Sequence, residues 1–265
     1  MQIRRVRGVM VSMDAFQAFD GESSKKTSQQ LFKMMGVNVT GEIGDMLTMC
    51  TPENDMVMTY TPMAKKNVIV TGFGPFRGFE EENPSSVIID ELKATGIDGV
   101  NLELHKITVA YEDVSKRVPE LWNEHNPDLV IHLGAHPVPK TIKYEQQAFA
   151  DGYCSNDVNG CTPEDNRTTC ASQDQILKSC INCDELVRNV TKICGLDGEA
   201  KYGGLCVKKS EDPGRYLCGF SYFLSLHQDC SKSLFIHVPA FEGECTKEAV
   251  ADVIRETIKS ILGIF

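Results

Sequence analysis

A cysteine and a histidine stand where a protein can use them for nucleophilic chemistry. Cys218 follows a glycine turn in the stretch GRYLCGFSYFL (residues 214–224), whose apolar run is typical of a helix. In the first turn of a helix, unpaired N–H groups and the helix dipole stabilise a thiolate and can receive an oxyanion. His237 comes nineteen residues later in a short apolar run, residues 233–239, which predicts a buried strand stopped by Pro239. His237 is therefore the natural base for this thiol.

A third member of such a set is a carboxylate that orients the histidine and stabilises its charged form. Glu145 is the best candidate by position, because we expect it in a loop that follows a strand. The acidic run at residues 80–82 is more typical of a solvated face. A single Cys or His is usually a packing residue, so the joint arrangement is what favours catalysis.

Strands alternate with helices from residue 67 onward, which predicts a doubly wound α/β layer with its ligand crevice at the carboxyl ends of the strands. The candidate residues all fall at such ends. The apolar and amphipathic patterns predict strands at residues 67–72, 100–109, 128–134, 205–208 and 233–239, and helices at residues 83–94, 111–125, 184–194 and 246–262.

The turn after the first of these strands, residues 72–78, carries two phenylalanines, Phe73 and Phe76. It is no dinucleotide fingerprint, because the glycine spacing is wrong and Pro75 removes a donor where a pyrophosphate needs one. Two rings on such a turn indicate an apolar slot instead.

Composition limits the partners and the location. The net charge is −10, and residues 67–265 hold thirty acidic but only nineteen basic side chains, which excludes nucleic acid as an expected partner. No run of about 18 apolar residues occurs, so no membrane partner is expected. The basic start is followed by an apolar stretch too short for a secretory signal, and the eleven cysteines are an odd number. These features predict a reducing, cytoplasmic location; they leave the oligomeric state open.

The first 65 residues differ from the rest, because all ten methionines lie there and no long periodic element occurs. Residues 29–35 favour a short helix and residues 57–60 a strand. We expect residues 1–65 to be an N-terminal extension, flexible or loosely docked, and residues 66–265 to form the catalytic domain.

Four motifs occur together in one order: VTGFGPF at residues 70–76, Glu145, GRYLC at residues 214–218, and FIHVP at residues 235–239. In these motifs the chain resembles the pyroglutamyl-peptidase I family over about residues 66–262. The resemblance implies a three-layer α/β/α fold of the phosphorylase/hydrolase-like kind, with a mostly parallel twisted sheet.

The same resemblance implies a cytosolic thiol protease, an omega peptidase that removes N-terminal pyroglutamate from peptides and needs no metal or organic cofactor. It assigns Cys218 as nucleophile, His237 as base and acid, and Glu145 as orienting group. Residues implied for substrate binding are Phe73 and Phe76 flanking the lactam ring, Asn83 holding the loop that shapes the pocket, and Tyr216.

The chain departs from the family pattern at four positions, which hold Gln146, Ala150, Pro213 and Gly219. A catalytically weakened or silent homologue that binds its ligand is therefore one alternative. A second is a zinc-binding interaction module, in which only the pair 180–183 has compact ligand spacing. Its candidate ligands are Cys154, Cys161, Cys170, Cys180 and Cys183. A third, a nucleosidase or phosphorylase-like enzyme, rests on shared architecture alone.

Overall fold

The computed structural model describes residues 3–6, 9–12, 38–39, 48–51, 54–59 and 64–264, apart from 77, 80, 169, 171, 173 and 198–200. The chain divides into two units, residues 1–64 with residue 265, and residues 65–264. The first unit has β1 (Ile3–Val6), β2 (Val9–Ser12), β3 (Asn38–Val39), β4 (Thr48–Thr51) and β5 (Asn54–Thr59). The strand predicted near residue 57 is β5, and the helix predicted at residues 29–35 lies outside the described residues.

The second unit is built on a six-stranded sheet with the order β12-β9-β13-β8-β6-β7. Neighbouring strands are parallel except β9 and β13, which are antiparallel. A separate hairpin pairs β10 with β11. The strands are β6 (Lys66–Phe73), β7 (Val100–Ile107), β8 (Leu129–Ala135), β9 (Thr141–Glu145), β10 (Gln147–Phe149), β11 (Ile176–Lys178), β12 (Cys206–Ser210) and β13 (Ser233–Val238).

Five helices flank this sheet within the described part of the second unit. They are α1 (Pro84–Thr95), α2 (Tyr111–His125), α3 (Cys183–Cys194), α4 (Leu217–Gln228) and α5 (Lys247–Leu262). Local sequence explains where several begin: the side chains of Asn83, Asn182 and Thr246 accept hydrogen bonds from the first turns of α1, α3 and α5. Short 3₁₀ turns occur at Glu164–Asn166 and Lys201–Gly204.

Two apolar cores, one on each face of the sheet, make the unit three-layered. One core joins α1, α3 and α5 to side chains such as Val70 and Ile236. The other joins α2 and α4 to side chains such as Ile69 and Phe235. Neighbouring strand residues point to opposite faces, which is why Ile69 and Val70 belong to different cores. The predicted α/β architecture is confirmed, and the long predicted helices end within one residue of their expected limits.

One expectation about position was wrong. Glu145 was expected in a loop, but it is the last residue of β9. Polar and charged residues outnumber apolar ones in residues 141–147, so the local sequence does not indicate a strand. Residues 141–145 form β9 because they pair with β12 and β13 in the sheet.

Candidate active site

Strand alternation places three residues side by side on the face of the sheet that α4 covers. His237 pairs with Gly134 of β8, and Phe235 pairs with Glu145 of β9. Because residues two apart share a face, Glu145, His237 and Gly134 lie on the same face as Phe235. That face is the one to which α4 brings the candidate nucleophile.

Cys218 is the second residue of α4, as its sequence context predicted. The residue before the helix, Tyr216, provides no side-chain cap, and the first turn contains no acidic residue. The helix therefore leaves the N–H groups of its first residues to whatever binds beside the thiol. Cys218 as a whole residue is half-buried at this point.

Gly134 makes room for the thiol. A Cβ atom at this position would lie 2.8 Å from Sγ of Cys218 and 2.7 Å from the ring of Phe235. Only glycine lets the helix bring the sulfur this close to the sheet. Sequence reasoning did not include Gly134 in the site, although a glycine at the end of a buried strand is a signal of close approach.

The imidazole of His237 joins the other two groups. Its Nδ1 lies 2.8 Å from Oε1 of Glu145, which is fully buried, and His237 is only 7% exposed. The Cys218 side chain is also close enough to this ring to raise the pKa of His237. The structure thus brings together the three residues that the sequence proposed as a set.

Electrostatics favours the protonated imidazole. Burial disfavours the charged form, but the hydrogen bonds with Cys218 and Glu145 outweigh it and raise the pKa of His237 to about 9. The other oxygen of Glu145, Oε2, is buried without a hydrogen-bond partner among the described residues, so this carboxylate directs its interaction to the histidine. The arrangement suits a thiolate–imidazolium pair.

A small pocket, partly open to solvent, lies beside the sulfur. Apart from Cys218, every lining side chain is uncharged, and three are aromatic, so the pocket suits a flat, uncharged group. The rings of Phe76 and Tyr216 lie 6.4 Å apart, centroid to centroid. The lining residues are Phe73, Phe76, Asn83, Val109, Ala135, Tyr216, Leu217 and Cys218. All four predicted substrate-binding residues thus line one pocket; sequence reasoning missed Val109, Ala135 and Leu217.

The hydrogen bonds of Asn83 point to a positioning role. Its Nδ2 donates to the carbonyl oxygen of Gly74 at 2.8 Å, and its Oδ1 accepts from the backbone N–H and the hydroxyl of Ser85. The hydroxyl of Ser85 in turn accepts from the N–H of Phe73 at 3.0 Å. Asn83 therefore ties the aromatic turn to the start of α1, and its amide is already used within the protein.

One side-chain group elsewhere has the composition of a metal site. The ligand atoms of Glu103, His105 and His125 lie within 4.8 Å of one another. Within the part of the chain that the structure describes, no group of three potential ligands contains the cysteines of residues 154–183. The zinc-module hypothesis thus has no supporting ligand set among these residues.

Comparisons with known proteins show which family the chain belongs to. The chain matches the family described as "Putative pyroglutamyl peptidase PgaPase_1" over residues 46–242. It is 34% identical to pyroglutamyl-peptidase 1 of Mus musculus over 203 residues, which cover 76% of this chain and 91% of that protein. The chain belongs to the pyroglutamyl peptidase I family. The human pyroglutamyl-peptidase 1 is also 34% identical, with the same coverage.

Solved structures of pyrrolidone carboxyl peptidases share the fold. The enzyme from Thermococcus litoralis superimposes with a TM-score of 0.61 at 24% identity, covering 75% of this chain and 94% of that one. A structure of the Pyrococcus furiosus enzyme gives 0.63 at 23% identity, covering 74% and 98%. The family match begins at residue 46, before the border predicted at residue 66.

Two of the departures from the family pattern, Gly219 and Gln146, have local explanations in this pyroglutamyl peptidase relative. A Cβ atom at Gly219 would collide with the carbonyl oxygen of Gly214, so the turn before α4 requires glycine there. Gln146 holds the loop after β11, because its Nε2 donates to the carbonyl oxygens of Ser179 and Ile181 at 2.9 and 3.0 Å. These two residues support the backbone around the site.

The remaining departures, Ala150 and Pro213, are both buried. Ala150 accepts a backbone hydrogen bond from Thr168 at 2.8 Å. For the described residues, no helix combines the length and apolar character that a membrane crossing needs.

Proposed function

We propose that this chain is a cysteine peptidase that hydrolyses the N-terminal pyroglutamyl (5-oxoprolyl) residue from peptides. The observation that carries the proposal is the set formed by Glu145, His237 and Cys218, of which Cys218 lines a pocket with three aromatic side chains. The family and the named relatives support it.

The first step is acyl transfer to sulfur. The thiolate of Cys218 attacks the carbonyl carbon of the pyroglutamyl residue, and the developing oxyanion accepts hydrogen bonds from N–H groups at the start of α4. The carbon–nitrogen bond then breaks, and the imidazolium of His237 gives its proton to the leaving amine. A thioester remains on Cys218.

The second step is hydrolysis of that thioester. The neutral His237 takes a proton from water as the water oxygen attacks the thioester carbon, and the carbon–sulfur bond breaks. Pyroglutamate leaves, and the thiolate–imidazolium pair is restored. Throughout, Glu145 holds the ring through Nδ1 and stabilises its charged form.

Selectivity follows from the lining of the pocket. A pyroglutamyl residue has a flat ring and no ammonium group, so it can enter among Phe73, Phe76 and Tyr216 without burying a charge. Free glutamate would lose the hydration of its charges among uncharged side chains. We expect proline to bind poorly, because it lacks the lactam carbonyl that a backbone donor can hold.

We also propose a reducing, cytoplasmic setting, since a thiolate nucleophile requires reduced cysteine. The ten cysteines whose side chains the structure describes are all free thiols. Cell fractionation with an antibody to this chain tests the location. Recovery from a secreted fraction would contradict it.

Release of a fluorescent amine from a pyroglutamyl amide tests the function. The wild type should hydrolyse it, and Cys218→Ala should lower kcat/KM by at least about 10³-fold, because the variant has no nucleophile. The matched control is Cys161→Ala, which removes an exposed thiol and should keep wild-type activity. Equal rates in the wild type and Cys218→Ala would rule the assignment out. A folded wild type that binds pyroglutamyl peptides without cleaving them would support the silent-homologue alternative.

A further inference from the structure

Two cysteines outside the candidate active site face each other. Cys180 lies in the loop between β11 and α3, and Cys230 lies in the turn between α4 and β13. Their Sγ atoms are 2.7 Å apart, and the N–H of Cys180 donates to the carbonyl oxygen of Cys230 at 2.9 Å. The two backbones are therefore held beside each other, with both thiols between them.

Neighbouring contacts fix this pairing. The hydroxyl of Ser179 donates to the carbonyl oxygen of Ser233 at 2.8 Å. Cys161 differs from this pair of cysteines. Its thiol lies 3.9 Å from a carbonyl oxygen of its own loop, that of Asn159. Two sulfur atoms at 2.7 Å are closer than an ordinary non-bonded contact, and a disulfide of about 2.05 Å needs only a small further approach.

We propose that Cys180 and Cys230 are a site of oxidative modification. A low-molecular-weight disulfide such as oxidised glutathione oxidises the two thiols, which then form a disulfide bond with each other. Cys180 is exposed and Cys230 is half-buried. Cys180 as thiolate attacks one sulfur of the oxidant, and one glutathione leaves with the thiol proton. Cys230 then attacks the sulfur of Cys180, and the second glutathione leaves with the second proton. Both protein thiols are oxidised and the glutathione disulfide is reduced.

The new bond would join the segments that carry the candidate catalytic residues. Gln146, which follows Glu145, holds the carbonyl groups on either side of Cys180. Cys230 lies between the helix that begins at Leu217 and the strand that contains His237. A bond between residues 180 and 230 therefore ties the backbone of β9 to the connection between α4 and β13.

The expected consequence is a more stable fold. The bond closes a loop of about 50 residues and so restricts the unfolded chain. We expect the melting temperature to rise by about 5 °C or more. Peptide mass and melting temperature detect the disulfide without any measurement of peptidase activity. The proposed disulfide can therefore be disproved while the proposed function stands.

The test uses the full chain, first reduced and then incubated with oxidised glutathione. Unreacted thiols are alkylated after denaturation, and tryptic peptides are mapped. Cys183 and Cys218 fall on the same tryptic peptides as the pair, so tandem mass spectrometry must place the bond. The wild type and the control Cys161→Ser should lose the mass of two hydrogen atoms, show a 180–230 bond and melt at a higher temperature.

The variants Cys180→Ser and Cys230→Ser should each lack the bond and the rise in melting temperature, and the remaining thiol should carry glutathione. Two findings would overturn the proposal. One is a wild type in which residues 180 and 230 are both alkylated after the treatment. The other is an internal bond that forms between different cysteines.

Discussion

The candidate site has two halves that are built in different ways. In the reactive half, Glu145 is fully buried and His237 nearly so, and both lie on strands of the sheet. In the binding half, Phe76 and Tyr216 are half-buried and lie on a turn and at a helix start. Strands thus hold the side chains of Glu145 and His237 in position, whereas a turn and a helix start position the rings that line the pocket.

The two halves also differ in what holds them. The reactive half depends on backbone pairing between β8, β13 and β9, together with the absence of a side chain at Gly134. The aromatic turn is held by hydrogen bonds from individual groups, among them those of the Asn83 amide with Gly74 and of the Ser85 hydroxyl with Phe73. We therefore expect changes in the reactive half to alter turnover and changes in the binding half to alter KM.

Two histidines on the same face show what the neighbouring Cys218 and Glu145 contribute. His132 of β8 pairs with Phe235 of β13, and Phe235 comes two residues before His237 on the same strand. Burial lowers the pKa of His132 to about 3, and its Nδ1 meets the hydroxyl of Thr71, at 2.7 Å, rather than a carboxylate. His237 is just as deeply placed, yet its pKa is raised to about 9 through Cys218 and Glu145.

Glu145→Gln should have the largest effect among the variants that test this contrast. A hydrogen bond to a charged group contributes about 1.5–3 kcal/mol, so we expect kcat to fall about 10- to 100-fold with little change in KM. The raised pKa of His237 means that its proton is held below about pH 9 and lost above it. Activity should therefore fall above about pH 9 in the wild type, and at lower pH in Glu145→Gln.

This prediction is checked by measuring rates from about pH 5 to 10. That interval includes both the ordinary pKa of histidine and the raised pKa of His237. Glu103→Gln is the matched control, because Glu103 is an exposed carboxylate on β7 and should leave the profile unchanged. If activity falls at the same pH in Glu145→Gln as in the wild type, the carboxylate does not raise the pKa of His237.

Phe76→Ala should have a smaller effect, confined to binding. Removal of a half-buried ring should raise KM for a pyroglutamyl amide about 10-fold, as expected for about 1.4 kcal/mol of lost contact. The rate at which a small alkylating agent modifies Cys218 should stay the same. Phe73 is 4% exposed within the core, so Phe73→Leu is the variant that tests its ring without a large cavity.

Phe241→Ala is the control for Phe76→Ala. It removes a half-buried ring that packs in the core of α1, α3 and α5, on the opposite face of the sheet, and should keep the wild-type KM. If Phe76→Ala and Phe73→Leu both keep the wild-type KM and still reject free glutamate, the lactam binds elsewhere.

Local patterns were sufficient for the elements that carry the reactive half. The glycine turn before Cys218 and the apolar run ending at Pro239 predicted a helix start and a strand end, and α4 and β13 confirm both. The Asn83 cap and the helix at Tyr111–His125 were likewise readable from capping and periodicity.

Pairings distant in sequence could not be predicted in this way. The contact between Glu145 and His237 joins residues that are 92 positions apart, and β9 becomes a strand through its neighbours in the sheet. The approach of Cys218 to Gly134 also depends on how a helix packs on a sheet. No periodicity within a short window encodes such contacts.

The smallest effect is expected from truncation, which asks whether both halves of the site lie within the proposed domain at residues 66–265. Deletion of residues 1–65 should leave kcat/KM within about twofold and change stability by less than about 1 kcal/mol, or roughly 2–4 °C in melting temperature. Deletion of residues 1–45 is the control, because the family match begins at residue 46. If the shorter deletion is neutral and the longer one lowers turnover or melting temperature, residues 46–65 belong to the catalytic domain. A loss confined to KM would instead place those residues with the binding half.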